Sequence, residues 1–137
     1  LRGYREDSHP SRLEPLRHFC VSLPIHRLVE CVLHAHRMAH HLGANGATIH
    51  FRATFEGLDG RTLSYDWPTD DERDLVGGLC REPTVVLEFA MTASSSTPTA
   101  NEIAQALGHS LDELFIRFGF AEIDEELYLA EVRKIAG

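Results

Sequence analysis

The sequence predicts an α+β fold: a small antiparallel sheet of three to four strands, packed by one long helix and followed by a helical C-terminal section. Three observations carry that prediction. Apolar residues recur every three to four positions from about Pro24 to Leu42. They alternate with polar residues in several stretches between residues 49 and 92. Beyond residue 98 the helical spacing returns, now with helix-capping patterns.

Residues 1–17 hold two prolines, many charges and little periodicity, so they read as a linker or loosely docked arm. Residues 18–137 are expected to form one α+β domain, of which 98–137 is the helical section. A short strand over His18 to Ser22 would put Phe19 and Val21 on one face. In the long helix, Pro24 suits a first-turn position and Gly43 suits the residue just past the end. Ile25, Leu28, Val29, Val32, Ala35, Ala39 and Leu42 form its broad apolar face, and His26, Glu30, His34, Arg37 and His41 lie opposite.

A hairpin is expected next. Ile49, Phe51, Ala53 and Phe55 alternate with polar residues, Asp59-Gly60 signals a turn, and Leu63, Tyr65 and Trp67 alternate on the return. Thr69 to Glu72 fits a capping box opening a short helix, which Gly77-Gly78 would stop. A further strand covers Thr84 to Thr92, with Val85, Leu87, Phe89 and Met91 facing one way. The polar stretch Ala93 to Pro98 is a loop.

Two capping boxes follow, Thr99 to Glu102 and Ser110 to Glu113, with Gly108 between them as a stop. A final helix from about Ala121 to Ile135 carries two apolar stripes, Ile123 with Leu127 and Tyr128 with Val132 and Ile135. A helix apolar on two sides is deeply packed or shared with a partner. These five residues are therefore the expected interface, either with a second copy or with a neighbouring domain.

Length and charge exclude several functions. The chain has 137 residues, 43% hydrophobic and 25% charged, enough to bury a core without metal or disulfide staples. No apolar run reaches the roughly 18 residues that a spanning helix needs, so no membrane partner is expected. Residues 1–68 carry eight Arg against seven acids, whereas residues 69–137 carry five bases against fourteen acids. That surplus opposes polyanion binding by the C-terminal half, and nucleic acid is not an expected partner for this domain alone. Cys20, Cys31 and Cys80 are widely spaced and read as reduced, mostly buried thiols, so a cytoplasmic protein is expected. The polar opening at Leu1 reads as a piece of a longer polypeptide.

Three sets of residues are candidates for chemistry. Glu30, His34 and His41 share a helix face, and imidazole and carboxylate groups at one-turn spacing suit a divalent metal such as zinc. The bland reading is a solvated polar face, with His36 hydrogen-bonded at the core boundary. Cys31 and His34 are helical neighbours, but no nucleophile elbow, phosphate loop or dinucleotide motif accompanies them, and no cofactor is expected.

The third set lies in Thr99 to Phe118, TANEIAQALGHSLDELFIRF, with Ile103 and Ala104 inward, Leu107-Gly108 at a turn and Leu114 packing back. This segment resembles a helix-turn-helix unit. The resemblance implies that the second helix would contact DNA through Ser110, Asp112, Glu113 and Arg117. The acids at those positions depart from the family, which presents basic or amide side chains there.

The expectation drawn from all this is a non-catalytic regulatory, sensor or protein-interaction domain of a larger cytoplasmic protein. A DNA-binding regulator using residues 99–118 is the first alternative. A metal-dependent enzyme or metal sensor on the His-rich helix is the second.

Overall fold

A computed structural model of the chain describes residues 17–64, 75–120 and 123–137. The class is α+β, with three helices and five strands among the described residues. In chain order these are β1 (His18–Cys20), α1 (Ser22–His41), β2 (Thr48–Glu56), β3 (Thr62–Ser64), β4 (Leu75–Leu79), β5 (Thr84–Thr92), α2 (Ala100–Ile116) and α3 (Glu125–Ala136). The strands are divided between a three-stranded sheet, ordered β1-β3-β4, and a two-stranded ribbon of β2 and β5.

Helix α1 forms as its periodicity requires. Of its expected apolar face, Ile25, Leu28, Val29, Val32 and Ala39 are buried and Ala35 is half-buried, whereas Leu42, one residue past the helix end, is exposed. Its end is a Schellman cap: Gly43 has φ +68°, its N–H donates to His40 O, and the Ala44 N–H donates to Ala39 O at 2.8 Å. His36 is buried at the core boundary, with Nδ1 3.0 Å from Val32 O.

Among the described residues, the hairpin expected between residues 49 and 67 is absent. The Asp59-Gly60 turn is present, with the Arg61 N–H donating to Leu58 O at 3.1 Å. It delivers the chain to the other sheet, where β3 pairs parallel with β1 and antiparallel with β4. Strand β2 pairs instead with β5, in unbroken antiparallel register from Thr48↔Thr92 to Glu56↔Thr84. A turn constrains only the few residues that make it. Pairing is decided over the whole strand, and β5 matches β2 in length and sets Phe89 opposite Phe51 and Val85 opposite Phe55. Leu63, expected on the return strand of that hairpin, is buried in the other sheet opposite Phe19; Tyr65, Trp67 and the capping box at 69–72 lie outside the described residues.

Gly77-Gly78 ends no helix; both residues lie within β4. The Gly78 N–H donates to Phe118 O at 2.6 Å, and a Cβ at Gly78 would stand 3.3 Å from that oxygen. Glycine serves the close approach of two backbones here.

The two helices expected between residues 99 and 118 are one. Helix α2 runs unbroken through Gly108, whose φ is not left-handed. A glycine inside a helix costs only about 0.5–1 kcal/mol relative to Ala, and the buried series Ile103, Leu107, Leu111 and Leu114 continues in register across it. The first capping box is real: Glu102 N–H donates to Thr99 Oγ1, and Thr99 N–H donates to Glu102 Oε2 at 2.7 Å. Those bonds from the Thr99 backbone and hydroxyl hold the Glu102 carboxyl below the usual carboxylate range. The second box is not formed, because Ser110 is buried with its hydroxyl donating to Glu88 O of β5.

The core joins both sheets and all three helices. Phe19 stacks on Phe118 at 5.3 Å and meets Phe55 edge-on at 6.1 Å, so β1, β2 and the turn after α2 share one aromatic cluster. Helix α3 packs against both α1 and α2.

Candidate interaction site

The predicted metal ligands do not converge. Glu30 is exposed and accepts from Arg27 at 3.1 Å, while His34 and His41 are exposed further along α1. Seven residues of helix separate the two histidines by about 10 Å, beyond the reach of one ion. Among the described residues, no three His, Cys, Asp or Glu side chains are grouped as a metal requires. His26 shares the polar face by helical spacing, yet its Nε2 lies 2.7 Å from Glu131 Oε2 of α3. Cys31 is exposed, contrary to the expectation of buried thiols, and Cys80 is buried.

The predicted DNA-contact residues are also dispersed. Ser110 faces β5, and Asp112 accepts from Tyr128 Oη at 2.6 Å. Glu113 pairs with His109 at 3.2 Å, and Arg117 with Glu82 at 3.3 Å. With no second helix to enter a groove, the helix-turn-helix resemblance is not realised in the backbone.

The expected interface on α3 is largely internal. Ile123, Tyr128 and Val132 are buried, and Leu127 and Ile135 are partly buried against the core. Because α3 lies against two helices, both stripes find cover within the chain. Tyr128 meets Asp112 and Phe115 of α2, while Glu131 turns to His26 of α1.

Sequence reasoning missed Glu131 as a buried charge. Its position supplied a signal: it falls three residues after Tyr128, four after Leu127 and four before Ile135, hence on the arc between the two stripes.

Between α2 and α3 lies a groove of about 450 Å³, lined by Gln105, Gly108, His109, Asp112, Glu125 and Tyr128 among others. Burial, then the Asp112 carboxylate, push the Tyr128 hydroxyl above the ordinary tyrosine range. The unfolded chain therefore loses this proton first. Stability from this group is complete below the ordinary value of 10.0 and declines as pH rises above it. Denaturant titrations from about pH 9 to 11 are expected to show that decline, and Tyr128→Phe should flatten it. An equal decline in both proteins would assign the loss to other groups.

A smaller groove of about 190 Å³ lies between the end of α1 and Ser94 to Thr97. The α2 N-terminus beside that loop is capped by the chain's own Glu102 carboxylate, and Ser94 Oγ donates to Ser96 O.

A further feature is the β2–β5 ribbon. Phe55, Val85 and Leu87 at one end are buried, whereas Ile49, Phe51, Phe89 and Met91 toward the other are only partly covered. Phe51 and Phe89 stack at 4.7 Å across the two strands. Among the described residues, no strand pairs with the outer edge of β2, and no backbone or side-chain group hydrogen-bonds to it between Thr48 and Glu56. Sequence alternation reveals such a strand but is silent about which edge is left over.

No protein-family model, curated protein or solved structure matches this chain. Among the described residues, no helix is long and apolar enough to cross a membrane.

Proposed function

We propose that this chain is a non-catalytic protein-interaction domain, a regulatory or assembly module of a larger cytoplasmic protein, and that it acts through the β2 edge. The observation that carries the reading is a nine-residue strand whose outer backbone groups have no partner among the described residues. Such an edge is a template for an added strand: main-chain bonds supply affinity and alternate side chains supply choice. The half-covered Phe51–Phe89 pair beside it offers an apolar contact for the incoming strand. The C-terminal helix, the surface expected from sequence, has most of its apolar residues engaged within the chain.

Selection of extended peptides from a random library on the immobilised domain tests this. Selected peptides are expected to slow amide exchange at His50, Arg52 and Thr54, and to lose binding to Thr54→Pro. An empty selection, or peptides whose protection falls in the α2–α3 groove, would refute it.

A further inference from the structure

We infer that the occupant of this edge is the β2 strand of a second copy of this chain, paired antiparallel about Ala53, so that two ribbons join as one four-stranded sheet. The inference rests on the proposed interaction reading and names its partner. Its first support is the direction of the backbone groups. Ala93 N–H donates to Ala47 O at 2.8 Å and Gly46 N–H donates to Ala93 O at 2.7 Å, so a bulge at Gly46 and Ala47 closes this end of the ribbon with Ala47 facing Ala93. Bonded and non-bonded pairs alternate along an antiparallel ladder. Ile49, Phe51, Ala53 and Phe55 therefore bond to β5, and Thr48, His50, Arg52, Thr54 and Glu56 turn their N–H and C=O groups outward.

The same rule turns Glu88 and Thr92 of β5 outward on the far side. There Glu88 O accepts from Ser110 Oγ of α2 at 3.2 Å, and Thr92 O lies 3.4 Å from His36 Nε2 of α1. Helices thus attend the β5 edge, and among the described residues the β2 edge has no counterpart.

Charge, the apolar face and the length of overlap together then select the register. Outward groups must meet outward groups, so the two-fold axis passes through a residue and not between two. Centred on Arg52, the pairing sets two exposed guanidinium groups opposite each other, which is destabilising. Centred on Ala53, it sets His50 opposite Glu56 at both ends, with Arg52 opposite Thr54 and diagonal to Glu56 on one side and to the second Arg52 on the other. On the apolar face it sets Phe51 opposite Phe55, and two small Ala53 side chains meet at the axis. Centred on Thr54, it sets Phe51 opposite Gly57, where φ of +71° ends the strand, and the overlap shortens. The Ala53 register serves both faces: outside it avoids directly opposed guanidinium groups and sets His50 against Glu56, and inside it covers the flank of Phe51 that Phe89 leaves open over a longer overlap than the Thr54 register.

Sedimentation of the full chain over micromolar to millimolar concentration tests the inference. Mass is expected to rise to that of a dimer, and Thr54→Pro, which removes one outward N–H and no ladder bond, is expected to keep the chain monomeric. Glu56→Lys should weaken the dimer about tenfold or more, and adding His50→Glu should restore it; in the Thr54 register the introduced lysine would face Arg52 and no restoration would follow. In a Cys31→Ser background, Ala53→Cys should form a disulfide-linked dimer on mild oxidation. Cα atoms of a directly opposed non-bonded pair stand about 4.5 Å apart, within disulfide range. This arm holds even if the proline variant fails to fold.

A wild-type chain monomeric throughout, a dimer indifferent to Thr54→Pro, an unrescued Glu56→Lys or no cross-link through A53C would each overturn the inference. If the chain stays monomeric while selected peptides still protect His50, Arg52 and Thr54, self-pairing fails and the interaction reading stands.

Discussion

Phe19→Ala is expected to destabilise the domain by about 3–5 kcal/mol, the range for a large aromatic side chain removed from a packed core. Phe19 is fully buried in a strand of only three residues. Its ring stacks nearly parallel on Phe118 and stands edge-on to Phe55. Pairs of this kind contribute about 0.5–1.5 kcal/mol beyond the area they bury. The three rings come from β1, the segment after α2, and β2, so the cavity cannot close by moving one side chain. Relaxation would have to shift elements from both sheets. Urea unfolding followed by circular dichroism measures the effect as a lower midpoint at unchanged slope. A loss below about 1 kcal/mol would mean that the three elements do not meet at this ring.

The second large effect concerns Glu131. Its side chain is 1% exposed, with His26 Nε2 at 2.7 Å and Lys134 Nζ at 2.5 Å. The His26 contact spans the chain from α1 to α3, so it fixes the C-terminal helix on the core. His26→Leu is expected to cost about 1.5–3 kcal/mol, because it removes a hydrogen bond to a buried charged group. Adding Glu131→Leu should recover most of that loss, since it removes the buried carboxylate that His26→Leu leaves short of a partner and puts apolar side chains of similar volume in contact. The double-mutant cycle isolates the coupling. Additive effects of the two substitutions would show that His26 and Glu131 do not act as a pair.

Glu131 also shows where sequence reading stops. Its helical position between two apolar stripes is visible, but a carboxylate there reads as solvated until a partner is known. Lys134 is within one turn, but His26, the partner that ties Glu131 to α1, lies 105 residues away. The same limit applies to the stripes themselves. Their apolar character is legible, yet whether water, a partner or a second helix covers them depends on where α3 docks. The structure places α1 and α2 against it.

The local signals divide in the same manner. The Schellman end at Gly43, the Thr99–Glu102 box and the alternation of β2 and β5 arise within a few residues, and each forms where the sequence predicts it. Gly108 and Ser110 imitate a helix stop and restart, but the stop is worth about 1 kcal/mol at most. Four buried residues in one continuous helical register outweigh it. Gly77-Gly78 imitates another stop and answers instead to the Phe118 carbonyl.

By itself the sequence determined the α+β class, the long helix with its apolar face, the two long alternating strands and the capped start of α2. Those follow from period, capping chemistry and composition, which act over one or two turns of chain. Only the tertiary structure decided that β2 pairs with β5 and not β3, that one helix spans Gly108, that Glu131 is buried against His26, and that the β2 edge rather than α3 is left without a described partner. Strand pairing and helix docking are settled by burial summed over whole faces. Each of those choices depends on residues far apart in the chain, beyond the reach of any local pattern.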